Sequence, residues 1–270
     1  MDIGFLKSKS RFVRRQILEI IVAAQKGHIG GSLSCTDILV SLYYGDILRF
    51  RPNNPSWIGR DRFILSKGHS SEVLYAILAD LGFISESLLA SCCQNGNLLG
   101  GHPDRHIAGV EIDTGSLGHG LGIGAGLALS AQIDNKDFMT YVLLGDGECY
   151  EGAIWEAAMF AAHHNLNNLV AIVDRNKQIT LDYTEECNAL EPFAQKWVAF
   201  GWHTVTVNGH SFPELISTFK SVCNQQKNMP IAIIANTVKG KGISFMEGNL
   251  RWHHGLPSEE QIEIARKELS

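Results

Sequence analysis

Residues 141–176 read YVLLGDGECYEGAIWEAAMFAAHHNLNNLVAIVDRN, and this stretch decides the fold. The apolar run 141–144 stops at Gly145-Asp146-Gly147, as a buried strand does where it reaches the carboxyl edge of a sheet. Two glycines around one aspartate let the backbone turn sharply and approach a ligand, while the carboxylate offers a hard oxygen. Apolar residues at helical spacing (Ile154, Trp155, Ala158, Met159, Ala162) predict a helix over 152–164, whose free N–H groups attract anions. A second buried strand over 169–173 ends at Asp174-Arg175-Asn176. In a parallel α/β sheet both strand ends share the ligand-binding edge, so Asp146 and Asn176 converge despite their separation in sequence. Carboxylate, amide oxygen and a nearby backbone carbonyl suit Mg2+ or Ca2+ that keeps phosphate oxygens as its other ligands. The stretch therefore predicts a metal-bridged diphosphate.

Working outward, residues 5–25 form an amphipathic pattern through Phe12, Val13, Ile17, Ile20, Ile21 and Ala24. The glycine-rich segment 26–32, KGHIGGS, is expected to be a loop presenting His28, with a helix resuming over 37–48. Residues 61–69, DRFILSKGH, read as a short strand running into a turn at Gly68-His69, with a helix over 72–81. Further on stand Gly101-His102-Pro103 and the glycine-dense run Thr114-Gly115-Ser116-Leu117-Gly118-His119-Gly120. Residues 190–202 begin a helix with proline in its first turn. Strands over 204–207 and 231–237 flank a helix over 213–223, completing the alternation of a parallel sheet with helices on both faces.

The spacing GDG to DxN resembles the thiamine diphosphate signature, and the filling between them resembles the transketolase family. The likeness extends over nearly the whole chain, but only to the first domain of a transketolase, the one that holds diphosphate and metal. It implies a three-layer α/β/α thiamine-diphosphate-binding fold with a mainly parallel central sheet, formed by residues 1–270 as a single domain. It further implies that Asp146, Asn176 and the Gln178 carbonyl hold Mg2+ (or Ca2+ or Mn2+). His69, Gly147 and Asn176 would contact the diphosphate, and Gly115, Ser116 and Leu117 the aminopyrimidine and thiazolium. His28 and His102 would face the substrate. Near the end, a match to HGxP picks His254 as the histidine beside diphosphate and substrate, whereas a match to WHxxxP picks His253; His254 is the expected residue. Glu151 and Glu156 would be buried at a subunit interface between two active sites. Without the resemblance, the histidines read as turn residues and the two glutamates as one capping and one solvated acid.

At 270 residues with 45% hydrophobic content the chain can bury one large core. A net charge of −5 without a basic cluster argues against nucleic acid, and no apolar run is long enough to span a membrane. A cytoplasmic protein is expected, since 1–15 carry no signal-peptide pattern. The six cysteines show no CxxC pair or zinc spacing and read as reduced, space-filling thiols. Gly120-x-Gly122-x-x-Ala125 matches a dinucleotide fingerprint, but the strand that should precede it is broken by charge and glycine.

The glutamate that activates thiamine, and the arginines that hold sugar phosphates, belong in the family to later domains. The resemblance therefore implies the amino-terminal subunit of a split transketolase, active only with a carboxy-terminal partner, in an α2β2 heterotetramer transferring a two-carbon ketol unit from ketose phosphate to aldose phosphate. Alternatives are a related transferase acting on an apiose-derived or sulfonated sugar, a non-catalytic homologue, and a dinucleotide-binding oxidoreductase.

Overall fold

The computed structural model describes residues 2–223, Cys223 by its backbone alone, and 228–270. Its strands are β1 (Arg62–Leu65), β2 (Thr140–Gly145), β3 (Leu169–Arg175), β4 (His203–Asn208) and β5 (Ile231–Asn236). The helices before β1 are α1 (Ile3–Ala24), α2 (Ile29–Ser34) and α3 (Thr36–Tyr44); α4 (Ser71–Asp80), α5 (Glu86–Ala90) and α6 (Gly120–Ile133) lie between β1 and β2. After β2 come α7 (Gly152–His163), α8 (Thr184–Cys187), α9 (Phe193–Ala199), α10 (Phe212–Cys223) and α11 (Glu259–Glu268).

All strand pairs are parallel, in the order β1-β2-β3-β5-β4, so the expected parallel three-layer α/β/α fold is observed. Side chains alternate across a strand, and β2 divides accordingly. Tyr141 and Leu143 join the core under α1, α3, α4 and α10, while Val142 and Leu144 join a second core with α6, α7 and α9. Burial on both faces is why β2, β3 and β5 are nearly continuous apolar runs rather than alternating ones. The glycines of α6 allow it to lie on the sheet: a Cβ on Gly124 would meet Val142 Cγ2 at 2.5 Å.

Three local expectations are corrected. The segment 26–32 is a loop only as far as His28, since Ile29 onward forms buried α2. Tertiary packing outweighs the poor helix propensity of glycine there; a Cβ on Gly30 would lie 2.5 Å from the Trp252 carbonyl oxygen. The next helix ends at Tyr44, with Gly45 after it, rather than at 48. Pro192 precedes α9 as its N-cap instead of occupying its first turn.

A buried ion pair ties the helical layer to the sheet edge. Arg14 donates to both Asp37 oxygens, at 2.9 and 2.8 Å, and His210 Nδ1 lies 2.8 Å from Asp37 Oδ2. Because His210 Nε2 accepts the Val238 N–H at 2.8 Å, the ring proton sits on Nδ1 and is donated to Asp37. Burial pushes the Asp37 carboxyl up, but Arg14, His210 and Ser10 outweigh it and hold it well below the usual range. A depressed folded pKa contributes stability that is present above the unfolded value of about 3.9 and lost as pH falls below it. Asp37→Asn is expected to cost about 2 kcal/mol at pH 7 and to flatten the stability loss between pH 5 and 3. Urea denaturation across that range checks this, and an unchanged slope would refute the assignment.

Candidate active site

The loops leaving the carboxyl ends of β1, β2, β3 and β5 surround a cavity of about 280 Å³, lined among others by Lys67, His69, Asp146, Asn176, Gln178 and Lys239. The strand register accounts for the meeting: Gly145 pairs with Asp174, and Arg175 with Asn236, so the turns after β2, β3 and β5 stand at one level. Asp146 Oδ2 accepts the Lys177 N–H at 2.6 Å and Arg175 Nη1 at 3.1 Å, while Oδ1 accepts the Gly147 N–H at 2.8 Å. Those bonds join the tip carrying Asp146 to the residues on either side of Asn176. Asn176 Oδ1 accepts the Gln178 N–H at 3.1 Å, and its amide lies 3.3 Å from Asp174 Oδ2.

Charge in the cavity is unevenly met. Burial, then the neighbouring Asp174 charge, pushes Asp146 up to about 6 against the pull of Arg175. Arg175 divides itself further between Glu185 at 2.7 Å and Glu191 at 3.0 Å. Deeper in, Lys67 and Asp174 form a buried pair, and Lys67 also donates to the Gly31 carbonyl at 3.0 Å. Lys239 donates to the carbonyls of Ile179 at 3.1 Å and Gln178 at 3.4 Å and to His253 Nδ1 at 2.7 Å. Burial, then Lys67, brings Lys239 down to about 8.

Five imidazoles gather at the mouth. His28 lies 4.2 Å, ring centre to ring centre, from His254, 5.3 Å from His69, 5.6 Å from His253 and 6.1 Å from His102. Burial, then the other histidines, brings His28 down to about 4; burial, then Lys239, brings His253 down to about 3. Both are neutral at pH 7 and available as hydrogen-bond donors or acceptors. Lys239 occupies His253 Nδ1, which leaves the proton on Nε2, 3.2 Å from Thr180 Oγ1. His28 is fixed from behind: its N–H and the Ser32 hydroxyl both bind buried Glu72, at 3.1 and 2.7 Å.

The glycine-dense run ends as a wall of the same site. Gly115 has φ +133°, and a Cβ on it would meet the His102 ring at 2.7 Å, so glycine is needed for conformation and for space. Glu148 accepts the N–H groups of Gly118 and Gly145 at 3.0 Å each and bonds the Ser66 hydroxyl, tying the three loops together. Neither Glu148 nor Lys67, Lys239 and Glu72 stood out in the sequence. The available signal was a charged residue flush against an apolar strand end, as in LSKGH and LLGDGE.

Most predicted site residues are thus brought together. His69, Leu117, Asp146, Gly147, Asn176, Gln178 and His253 line the cavity, while His28, His102 and His254 group beside it. Of the two adjacent histidines, His253 reaches the lysine of the cavity, whereas His254 is exposed and packs beside His28. Ser116 is exposed and faces a separate depression with Thr114 and His119. Glu151 and Glu156 are exposed rather than buried in this chain, although Glu151 packs on Gly118. The dinucleotide fingerprint lacks its strand, because loop precedes α6.

These donors fit a diphosphate and a divalent cation. Buried Asp146 is short of positive charge, Lys67 and Lys239 project into the cavity, and Gln178 Oε1 is buried without a partner. A parallel sheet with such a pocket at its carboxyl edge defines an α/β domain for a phosphorylated cofactor. Comparison with known proteins narrows the class. The family described as "Transketolase, thiamine diphosphate binding domain" matches residues 7–270. An apulose-4-phosphate transketolase subunit from Phocaeicola vulgatus is 45% identical over 270 residues, covering 100% of this chain and 95% of that protein. The 6-deoxy-6-sulfo-D-fructose transketolase subunit SqwG of a Clostridium species is 42% identical, with coverages of 98% and 96%. Transketolase from Campylobacter jejuni superposes with a TM-score of 0.94 at 31% identity, over 100% of this chain and 43% of that one. The chain belongs to the transketolase family, as its thiamine diphosphate-binding domain. Among the described residues no helix is long and apolar enough to cross a membrane.

Proposed function

We propose that this chain is the amino-terminal subunit of a split, cytoplasmic transketolase that acts with a carboxy-terminal subunit in an α2β2 assembly. The observation that carries the reading is the convergence of Asp146, Asn176, Lys67 and Lys239 on one cavity. The names of the relatives support it: two proteins described as transketolase subunits are similar to this chain over nearly their whole length. When bound, thiamine diphosphate supplies a nucleophilic carbon for breaking and making carbon–carbon bonds. This chain's residues hold and orient. Asp146, Asn176 and the Gln178 carbonyl would take Mg2+. Lys67, Lys239 and His69 would neutralise and bind the phosphoryl oxygens, and Glu148 would keep the Gly118 and Gly145 backbones in place.

Neutral His28 and His102 would bind sugar hydroxyls and exchange protons with them, since groups titrating below pH 7 accept protons only transiently, and the His254 ring beside His28 would add a further contact to a sugar hydroxyl. Exposed Glu151 and Glu156 are available to a second subunit. The substrates would be a ketose phosphate donor and an aldose phosphate acceptor. A branched or sulfonated sugar is the second reading, favoured by the names of the two subunit relatives. A non-catalytic role is disfavoured by the intact set of cavity donors.

Ketol transfer is expected from this chain mixed with the product of a companion gene for the remaining domains, and none from either alone; turnover by the purified chain would sink the split. The histidines should separate by role. His253→Ala loses the Lys239 contact and should weaken cofactor binding about tenfold, the worth of one charge-assisted hydrogen bond. His254→Ala should leave cofactor binding unchanged and raise KM for the sugar. Calorimetry and steady-state kinetics on the assembled enzyme decide, and equal effects on cofactor affinity would refute the division.

A further inference from the structure

Cys92 and Cys93 are used by nothing in the site just described. They follow α5 and open the turn that leads to Gly101-His102. Cys92 N–H bonds the Leu89 carbonyl at 3.0 Å and Cys93 N–H the Leu99 carbonyl at 2.7 Å, so the pair is clamped at both ends. Cys93 has φ +61°, a left-handed backbone uncommon outside glycine. That turn brings the two sulfurs to 3.8 Å, with Cys92 donating its S–H to Cys93 Sγ. The donated bond draws the Cys93 thiol below the usual thiol range while Cys92 keeps its proton. Cys93 is half-buried, and Cys92 forms part of the floor of a groove of about 490 Å³ between α1, α4 and α5. Phe12, Ile20, Ala76 and Leu89 give that groove an apolar wall.

We infer that Cys92 and Cys93 form a two-sulfur site for a soft, thiophilic ligand, of the class of trivalent arsenicals and soft metal ions, with room beside it for an apolar substituent. Thiolate sulfur selects such soft centres over hard cations. A direct sulfur–sulfur bond is the poorer alternative. It needs contraction to about 2.05 Å between residues whose Cα atoms, about 3.8 Å apart as chain neighbours, lie closer than the 4.4 Å lower limit of ordinary disulfides. A bridging atom bonded to both sulfurs needs no such contraction. With phenylarsine oxide as probe the reaction balances without redox change: two S–H bonds and the As=O unit give two As–S bonds and one water. The second bond forms within one molecule, so the pair should hold arsenic more tightly than any single thiol.

Full-length chain, reduced and freed of reductant, is titrated with phenylarsine oxide. One equivalent should consume two thiols by colorimetric count, map by mass spectrometry to the peptide containing Cys92 and Cys93, and be removed by a dithiol but not by excess monothiol. Cys93→Ser, at a half-exposed position, should fold as the parent does by thermal melting and bind at least tenfold more weakly; Cys92→Ser should behave alike. Arsenic mapping to another cysteine, release by monothiol, or undiminished binding by the folded Cys93→Ser chain would overturn the site.

Discussion

Asp146→Ala should reduce metal-dependent binding of thiamine diphosphate by about 100-fold or more, since loss of groups that merely orient metal ligands already costs 10–100-fold. The fold should survive, because Arg175 keeps Thr184 at 2.7 Å together with Glu185 and Glu191. A companion substitution separates function from stability. Burial and Asp174 raise Asp146 to about 6 in the folded chain, above an unfolded value of about 3.9. A raised folded pKa means that the carboxyl's contribution to stability is present at low pH and lost as pH climbs through that window. At pH 7 the charged side chain therefore strains the cofactor-free protein, and Asp146→Asn should be at least as stable as the parent while binding cofactor poorly. Calorimetry with Mg2+ and thiamine diphosphate on the two subunits together, beside urea melts of the isolated chain, measures both. Undiminished cofactor affinity in Asp146→Ala would dismantle the proposed metal site.

The centre of this site was legible because its decisive residues are local. Strand, GDG turn, helix and second strand follow one another in residues 141–176, and parallel register then forces Asp146 and Asn176 to one edge. Lys239 was illegible for the opposite reason. It arrives from the loop after β5, and nothing near it in the sequence marks it as aimed into the cavity formed by β2 and β3. The adjacent histidines show a second limit. Spacing to Pro257 favours His254, but the short 3-10 turn Leu250–His253 decides which ring points at Lys239, and a one-residue register is not written in composition. Glycine misled at 29–32, where it reads as a loop yet serves close packing of a buried helix. The interface role proposed for Glu151 and Glu156 depends on a second chain, and in this one both side chains are exposed.

Lys67→Met should cost the isolated chain about 3–5 kcal/mol, the usual consequence of removing one partner from a buried ion pair. Lys67 and Asp174 are 1% and 0% exposed, so loss of the ammonium leaves the carboxylate charge buried. Burial alone would push the Asp174 carboxyl up; Lys67, with Ser34 and Thr237, holds it below the usual range. Without Lys67, Ser34, Thr237 and the Asn176 amide still donate to Asp174, but none carries a positive charge. Desolvation then dominates and the carboxyl's folded pKa should rise above its unfolded value. The sign of the pH dependence reverses with it: a depressed carboxyl loses its stabilising contribution as pH falls, whereas a raised one regains stability on acidification. Lys67→Met should therefore recover part of its lost stability between pH 7.5 and 5.5, and a second substitution, Asp174→Asn, should recover more by removing the stranded charge. Urea midpoints of the parent, single and double variants at both pH values test this. A single variant that is no less stable than the parent, or whose midpoint falls on acidification as steeply, would show that Asp174 never depended on the lysine. Since the same ammonium faces the cavity in which the diphosphate is proposed to sit, the double variant should regain its fold without regaining cofactor affinity.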